Sequence, residues 1–253
     1  MSADRDVRYA NSGGLQIAYE VIGDDIGGIA VSGFRRWLRP GVRRPRRART
    51  ERGAGDLARA RGAMTRMFVA VYPPKDAIED LDSFLEPRRE AGDFRWSPTA
   101  QIHMTLAFLV EVSDRVEDDL VDRLAQAARK RQAMTASIGG GGAFPRVDFA
   151  KVLWAGLQVD NGAELDLLAA NCRAAAAKAG AAPSGERFSP HLTVARMRRP
   201  IEATKWVRLL DAYRGPSWRI DEVALVESHL GEGPNRQPRH DVIATFRLRE
   251  GSE

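Results

Sequence analysis

The chain has 253 residues, 43% of them hydrophobic, which is enough apolar material for one large or two small domains. No run approaches the ~20 apolar residues of a membrane-spanning helix, no stretch reads as a signal peptide, and the single cysteine, Cys172, excludes an intrachain disulfide or a thiol metal cluster. The formal charge of +5 is uneven: residues 1–66 hold 14 Arg against 7 Asp+Glu, whereas 67–253 hold 25 Lys+Arg against 27 Asp+Glu, so the body is not expected to coat a long nucleic-acid backbone by charge alone.

Residues 7–23 read as a β-hairpin, two β-rich runs around Ser12-Gly13-Gly14. The stretch is similar to the opening strands of some α/β-hydrolases, but no G-x-S-x-G nucleophile elbow follows it. A lone hairpin is marginal without a sheet to join, so it is expected to be a fragment. Residues 35–66 are rich in Arg, Ala, Gly and Pro, and Arg43-Arg44-Pro45-Arg46-Arg47 repels itself, so disorder is the expectation. A basic arm for RNA is the other reading of that composition. The expected division is a poorly ordered extension over 1–66 and a folded domain over 67–253, with Met64 and Met67 both candidate starts of the folded part.

From Met67 the periodicity sharpens. Met67–Tyr72 is a short apolar strand closed by Pro73-Pro74, and residues 75–90 carry Ile78, Leu81 and Leu85 at helical spacing. Phe94-Arg95-Trp96 and a strand over 102–109 follow, then a helix after Ser113, a suitable N-cap, with Val116, Leu120, Leu124 and Ala127–Ala128 inward. Residues 134–138 read as a strand and Gly139 to Gly142 as a flexible loop. Val152–Val159 is a strand, and Asn161 with Glu164 predicts a capping box on a helix that buries Leu165, Leu168 and Cys172. Cys172 reads as packing, not as a reactive thiol. A strand at 190–194, a helix over 201–212 and strands over 218–227 and 241–248 complete the chain.

Two of these strands carry the same triplet: Ile102-His103-Met104-Thr105-Leu106 and Pro190-His191-Leu192-Thr193-Val194. Period two puts His103 with Thr105 on one face and Met104 with Leu106 on the other, and likewise His191 with Thr193. One such triplet reads most simply as a satisfied core histidine; doubled in matching flanks it points to acid–base work on an oxyanion. The order strand, helix, triplet occurs twice, which predicts an α+β domain of two small sheets, pseudo-twofold, with the histidines facing across a cleft. A metallo-hydrolase is disfavoured, because neither histidine has an Asp, Glu or His at ligand spacing.

From Met67 onward the chain resembles the two-histidine phosphoesterases, and within them the RNA 2′,3′-cyclic phosphodiesterases. The matching pieces are Met67-Phe-Val-Ala-Val, Arg95-Trp96, Ile102-His-Met-Thr-Leu-Ala-Phe-Leu109, Gly142-Ala-Phe-Pro145, Val152-Leu-Trp154, Pro190-His-Leu-Thr-Val-Ala-Arg196 and Val226-Glu-Ser-His-Leu230. The resemblance implies a bilobal fold of two small antiparallel sheets flanked by helices. It implies hydrolysis of a terminal ribose 2′,3′-cyclic phosphate to a 2′-phosphomonoester without metal or cofactor, on RNA or an oligonucleotide with such an end. It implies His103 as proton donor to the leaving oxygen, His191 as base for water, and Thr105 and Thr193 as donors to the nonbridging oxygens. It also implies Arg196 near the phosphate, although strict alternation from His191 puts Arg196 on the far face unless a bulge or the strand end intervenes. A plain surface arginine is the alternative. Phe94 and Trp96 offer a base-stacking platform, or equally core packing. His229 and His240 lack a threonine two places on and are read as structural or exposed. A cytoplasmic monomer with no membrane partner is expected. The competing readings are an RNA-binding or scaffold protein with a vestigial cleft, a 2′-5′ RNA ligase, and a phosphodiesterase for small cyclic nucleotides.

Overall fold

The strand and helix periods of the sequence recur in a computed structural model that describes residues 7–12, 15–20, 42–43, 64–185, 187–233 and 237–250. In chain order the elements are β1 (Val7–Ser12), β2 (Leu15–Glu20), β3 (Val42–Arg43), β4 (Met64–Val71), α1 (Lys75–Leu85), β5 (Phe94–Trp96), β6 (Met104–Ser113) and α2 (Asp114–Ala128). They continue with β7 (Met134–Phe144), β8 (Ala150–Val159), α3 (Gly162–Ala179), β9 (His191–Ile201), α4 (Thr204–Ala212), β10 (Arg214–Ile220), β11 (Glu222–His229) and β12 (Arg239–Arg247).

Alternation sorts the side chains. On β4, Met67, Val69 and Val71 enter the main core, while Phe68 and Ala70 face the other way and join Ala224 and Val226 in a second, smaller cluster with Tyr72 against it. The main core fills the space between the sheet and the helices with Leu81, Leu85, Leu120, Leu124, Leu165, Leu168 and Cys172, all within 2% of full burial. Burial pushes the Cys172 thiol up to about 12, which keeps it an inert packing group.

The sheet order is β10-β7-β8-β9-β6-β4-β11-β12-β3, with β5 paired to β9. Outward from its middle, β9-β8-β7-β10 mirrors β6-β4-β11-β12, and each half contains the strand and the triplet of one repeated unit, while the unit's helix packs chiefly on the other half, α1 against β10 and β7 and α3 against β6. The halves, expected as separate sheets, are continuous through a single antiparallel pair, Met104 with Leu192. These are the central residues of the two triplets, both fully buried, so the pseudo-twofold axis passes between them. Beyond that pair the strands splay. β5 covers β9 on one side, and on the other the Ser184 N–H donates to the Phe108 carbonyl at 2.9 Å, so the segment before β9 covers β6.

Several boundaries differ from the sequence expectation. The segment Gly139 to Gly142 is no loop: β7 runs through it, with a register shift between Ile138 and Gly141 and Gly140 at φ +86°. Helix α1 stops at Leu85 and continues as a 3₁₀ turn over Glu86–Ala91, because Pro87 has no N–H to extend the α-helical ladder. Ser113 occupies the N-cap of α2 without a side-chain cap bond. Only half of the capping box at α3 forms: Asn161 accepts from the Glu164 N–H at 3.0 Å, but the Glu164 carboxylate turns to the Gln132 N–H at 2.6 Å and to Arg131. The run 218–227 is divided at Asp221 between β10 and β11.

Strand β4 begins at Met64, paired with Ser113, three residues ahead of the expected start. β1 and β2 pair from Val7–Glu20 to Ser12–Leu15 as a separate two-stranded sheet. Within the Arg-rich stretch, Val42 and Arg43 pair with Phe246 and Thr245 on β12, so part of the expected extension lies on the sheet edge. The rest of the disorder expectation, residues 35–41 and 44–63, lies outside the described residues.

Candidate active site

The site grows from the two triplets at the splay. The His103 ring nitrogen Nδ1 lies 2.7 Å from the Gln101 carbonyl, and His191 Nδ1 lies 2.8 Å from the Ser189 carbonyl. A carbonyl only accepts, so in each neutral ring Nδ1 carries the hydrogen and donates it. Nε2 is left, in both, as the basic atom free to take or give a proton. The same device two residues upstream of each histidine is the local expression of the pseudo-twofold axis.

Aromatic walls hold the rings. Phe68 stacks on His103 with centroids 4.6 Å apart at 17°, and Tyr72 lies 5.4 Å away. His191 meets Phe144 edge-on at 5.0 Å and Trp154 at 6.1 Å. Desolvation follows from this packing: burial lowers His103 from 6.5 to about 4, assisted by the charges of His240, His191 and Arg196 and opposed by the Gln101 carbonyl. His191 is lowered for the same first reason and by Arg196, against the Ser189 carbonyl. Both imidazoles therefore rest neutral at pH 7, and an anion between them would restore affinity for a proton. The Tyr72 phenol, pushed up to about 12 by burial, stays protonated.

A matched pair of bulges completes the geometry. Along β6, Thr105 pairs with Ala70 and Ala107 with Val69, which leaves Leu106 as an extra residue; along β9, Thr193 pairs with Trp154 and Ala195 with Leu153, which leaves Val194. Leu106 and Ala107 are consecutive buried residues, as are Val194 and Ala195. The bulge after each threonine reverses the alternation, so the residue five places after each histidine returns to the histidine's face. That residue is Phe108 in one half and Arg196 in the other. Arg196 is exposed at the cleft and its charge reaches both histidines, which resolves the alternation conflict in favour of a bulge.

The splay beyond Met104–Leu192 opens a groove of about 640 Å³, lined by Thr105, Phe108, Phe144, Trp154, Phe188 and His191 among others. Phe108 is 46% exposed there, large for an aromatic ring, and lies 6.4 Å from Phe68.

Of the residues singled out in the sequence, the fold brings together His103, Thr105, His191, Thr193 and Arg196. It does not bring in Trp96, whose placement against the core matches the packing alternative. Trp96 pairs with the buried Ala195 and packs against Phe94 at 5.5 Å and Trp206 at 5.7 Å, while Arg95 between them pairs with Arg196. His240, read as structural or exposed, stands in the cleft 5.4 Å from His103. His229 fits the structural reading, with Nε2 3.3 Å from Asp241 and 3.6 Å from Glu227. Sequence reasoning gave no role to the wall residues Phe68, Phe144 and Trp154; Phe68 and Trp154 lie on strands beside the triplet strands and Phe144 one strand further out, a register that no local motif carries. Among the described residues no group of three or more His, Cys, Asp or Glu could hold a metal ion.

Comparison with known proteins gives one family. A family model described as the 2′-5′ RNA ligase superfamily matches residues 73–232. The RNA 2′,3′-cyclic phosphodiesterase of Aquifex aeolicus is 32% identical over 190 residues, covering 73% of this chain and 98% of that protein. Its namesake in Thermus thermophilus is 30% identical over 193 residues, covering 73% and 90%. Among solved structures, Escherichia coli LigT in its apo form superposes with a TM-score of 0.58 at 26% identity, over 73% of this chain and 98% of that one.

Proposed function

Since the chain belongs to the 2′-5′ RNA ligase superfamily, we propose that it hydrolyses RNA ends bearing a 2′,3′-cyclic phosphate to a 2′-phosphomonoester, by acid–base catalysis without metal. The observation that carries this reading is the twinned bond from Nδ1 to an upstream carbonyl, which leaves two Nε2 atoms free on either side of one axis. A cyclic phosphodiester needs that pair: one imidazole takes a proton from water as its oxygen attacks phosphorus, and the other gives a proton to the 3′ oxygen as the P–O3′ bond breaks. By similarity to the family, His191 is the base and His103 the acid.

Thr105 and Thr193 donate to the nonbridging oxygens, where charge builds in the transition state. Arg196 supplies a guanidinium fork for the same oxygens, and its cleft-facing position beyond the bulge supports that role. Phe108 and the groove beside it, in place of Trp96, suit the unpaired terminal base, because an exposed ring stacks on any base. The near-neutral body supports recognition of an RNA end over recognition of a long backbone. No helix among the described residues is long and apolar enough to cross a membrane. We propose a cytoplasmic monomer.

An oligonucleotide ending in 2′,3′-cyclic phosphate, incubated with the protein in millimolar EDTA, tests the reading. A 2′-phosphomonoester is expected. A 3′-phosphate product, or activity that vanishes with chelator and returns with Zn²⁺ or Mn²⁺, would overturn it.

A further inference from the structure

The two histidines are related by the pseudo-twofold axis but are not furnished alike. The Gln101 carbonyl that receives the His103 Nδ1–H belongs to a residue tied elsewhere: its side-chain Nε2 donates to the Pro238 carbonyl at 2.7 Å, across 137 residues of chain. Pro238 leads directly into β12. Two residues on, His240 turns its ring into the cleft, edge-on to Phe68 at 5.0 Å and 71° and to His103 at 5.4 Å and 75°. Its Nδ1 is buried without a hydrogen-bond partner. One strand entry thus reaches His103 by two routes, through the turn that holds its proton and through the wall its ring rests on.

We propose that Gln101 and His240 are positioning residues for His103, through which the β11–β12 hairpin fixes the ring and makes it inequivalent to His191. The proposal rests on the reading that His103 Nε2 moves a proton in the cleft. Gln101 lies in a three-residue 3₁₀ turn, Thr99–Gln101, and a carbonyl on so short a turn directs an imidazole only if the turn is itself held. The bond to Pro238 holds it. His240 closes the remaining side, and at 5.4 Å from His103 the two rings do not both carry a charge cheaply. The charged and titratable groups around the pair are Tyr72 just past the end of β4 and His191 and Arg196 on β9, facing His103, with His229 on β11 and Asp241 on β12 acting on His240. Burial is the main cause that lowers His103, and of the charge interactions that add to it the one with His240 comes first, so protonation of either ring opposes protonation of the other.

The test reads the free protein and the reaction separately, in the full-length chain. Heteronuclear NMR titration of the His103 ring reports its tautomer and protonation without substrate, and kcat and KM are measured on the cyclic-phosphate oligonucleotide. Gln101→Met keeps the length of the side chain and removes the donor. It is expected to mix the His103 tautomers and lower kcat about tenfold with KM little changed, a loss of the size that follows removal of the orienting partner of a metal-ligating histidine. His240→Phe keeps the ring and removes the charge. It is expected to move the His103 titration upward and, with it, the limb of the kcat/KM profile that His103 controls. Gln101→Asn, too short to reach Pro238, repeats the first test should the methionine variant fail to fold. Folded variants whose His103 tautomer, titration and kcat all match wild type would overturn the proposal. A wild type inactive on the oligonucleotide, with His103 shifted as described in the variants, would support the positioning and refute the proposed activity instead.

Discussion

Gly142→Ala should damage the site without touching the substrate. Gly142 pairs with Trp154 across β7 and β8, and a Cβ at 142 would lie 2.1 Å from Trp154 Cζ2 and 2.5 Å from Cη2. Ordinary contact between carbons is about 3.5–4.0 Å, so the indole must withdraw by more than an ångström. It has little room, because Trp154 stands between Phe144 at 5.5 Å and His191 at 6.1 Å, and Phe144 itself meets His191 at 5.0 Å. Overpacking of this kind costs about 1–3 kcal/mol, more than the ~0.5–1 kcal/mol that alanine recovers over glycine in a strand. Displacement of a reacting group by about 1 Å costs on the order of 10²-fold in rate. Thermal unfolding and kcat on a cyclic-phosphate oligonucleotide read the two effects. The control is Gly140→Ala, at φ +86° with nothing within 4 Å of the added Cβ, which should lose about 1–2 kcal/mol of stability and keep its turnover. A Gly142→Ala protein with the stability and kcat of wild type would refute the claim that Trp154 sets the place of His191.

Acid should weaken the fold through His103. Its folded value of about 4 lies below the ordinary 6.5, so between these values the unfolded chain binds the extra proton, and stability falls as pH drops from about 6.5 to about 4. Urea unfolding should show up to about 3 kcal/mol of this loss in wild type, and a shallower slope in His103→Ala. A chain beginning at Met64 retains all of β4 and gives up the β3 edge; it should unfold cooperatively and keep its turnover on a dinucleotide cyclic phosphate, and loss of either would make the first 63 residues part of the domain. On the proposed mechanism Thr193→Ala removes one hydrogen bond to developing charge, so kcat should fall about 10- to 100-fold, less than for either histidine.

Much of this was legible because strand and helix periods are local. The two His-x-Thr triplets, the buried faces of α2 and α3 and the repeated strand–helix–triplet order needed no tertiary information. What the sequence hid depends on pairing across the chain. Gly139 to Gly142 looked like a loop, since nothing local announces that the Trp154 ring lies over position 142. The conflict over Arg196 was visible in the alternation, but its resolution required the register that leaves Val194 extra. Trp96 and Trp154 are equally aromatic and equally strand-borne; only the pairing of Trp96 with buried Ala195, and of Trp154 with Thr193, separates wall from core. His240 carries no motif at all, and its approach to His103 comes from three strand pairings, β12 to β11, β11 to β4 and β4 to β6.

The central claim is that His103 and His191 act as one acid–base pair. It is tested most directly by single-turnover and steady-state hydrolysis of an oligonucleotide 2′,3′-cyclic phosphate by His103→Ala, His191→Ala and the double variant, each checked for folding by circular dichroism. Each single change should lower kcat by on the order of 10²–10⁴-fold, and the double variant should be far less impaired than the product of the two, because both groups serve one transition state. A folded His103→Ala or His191→Ala protein within a few-fold of wild type would contradict the account.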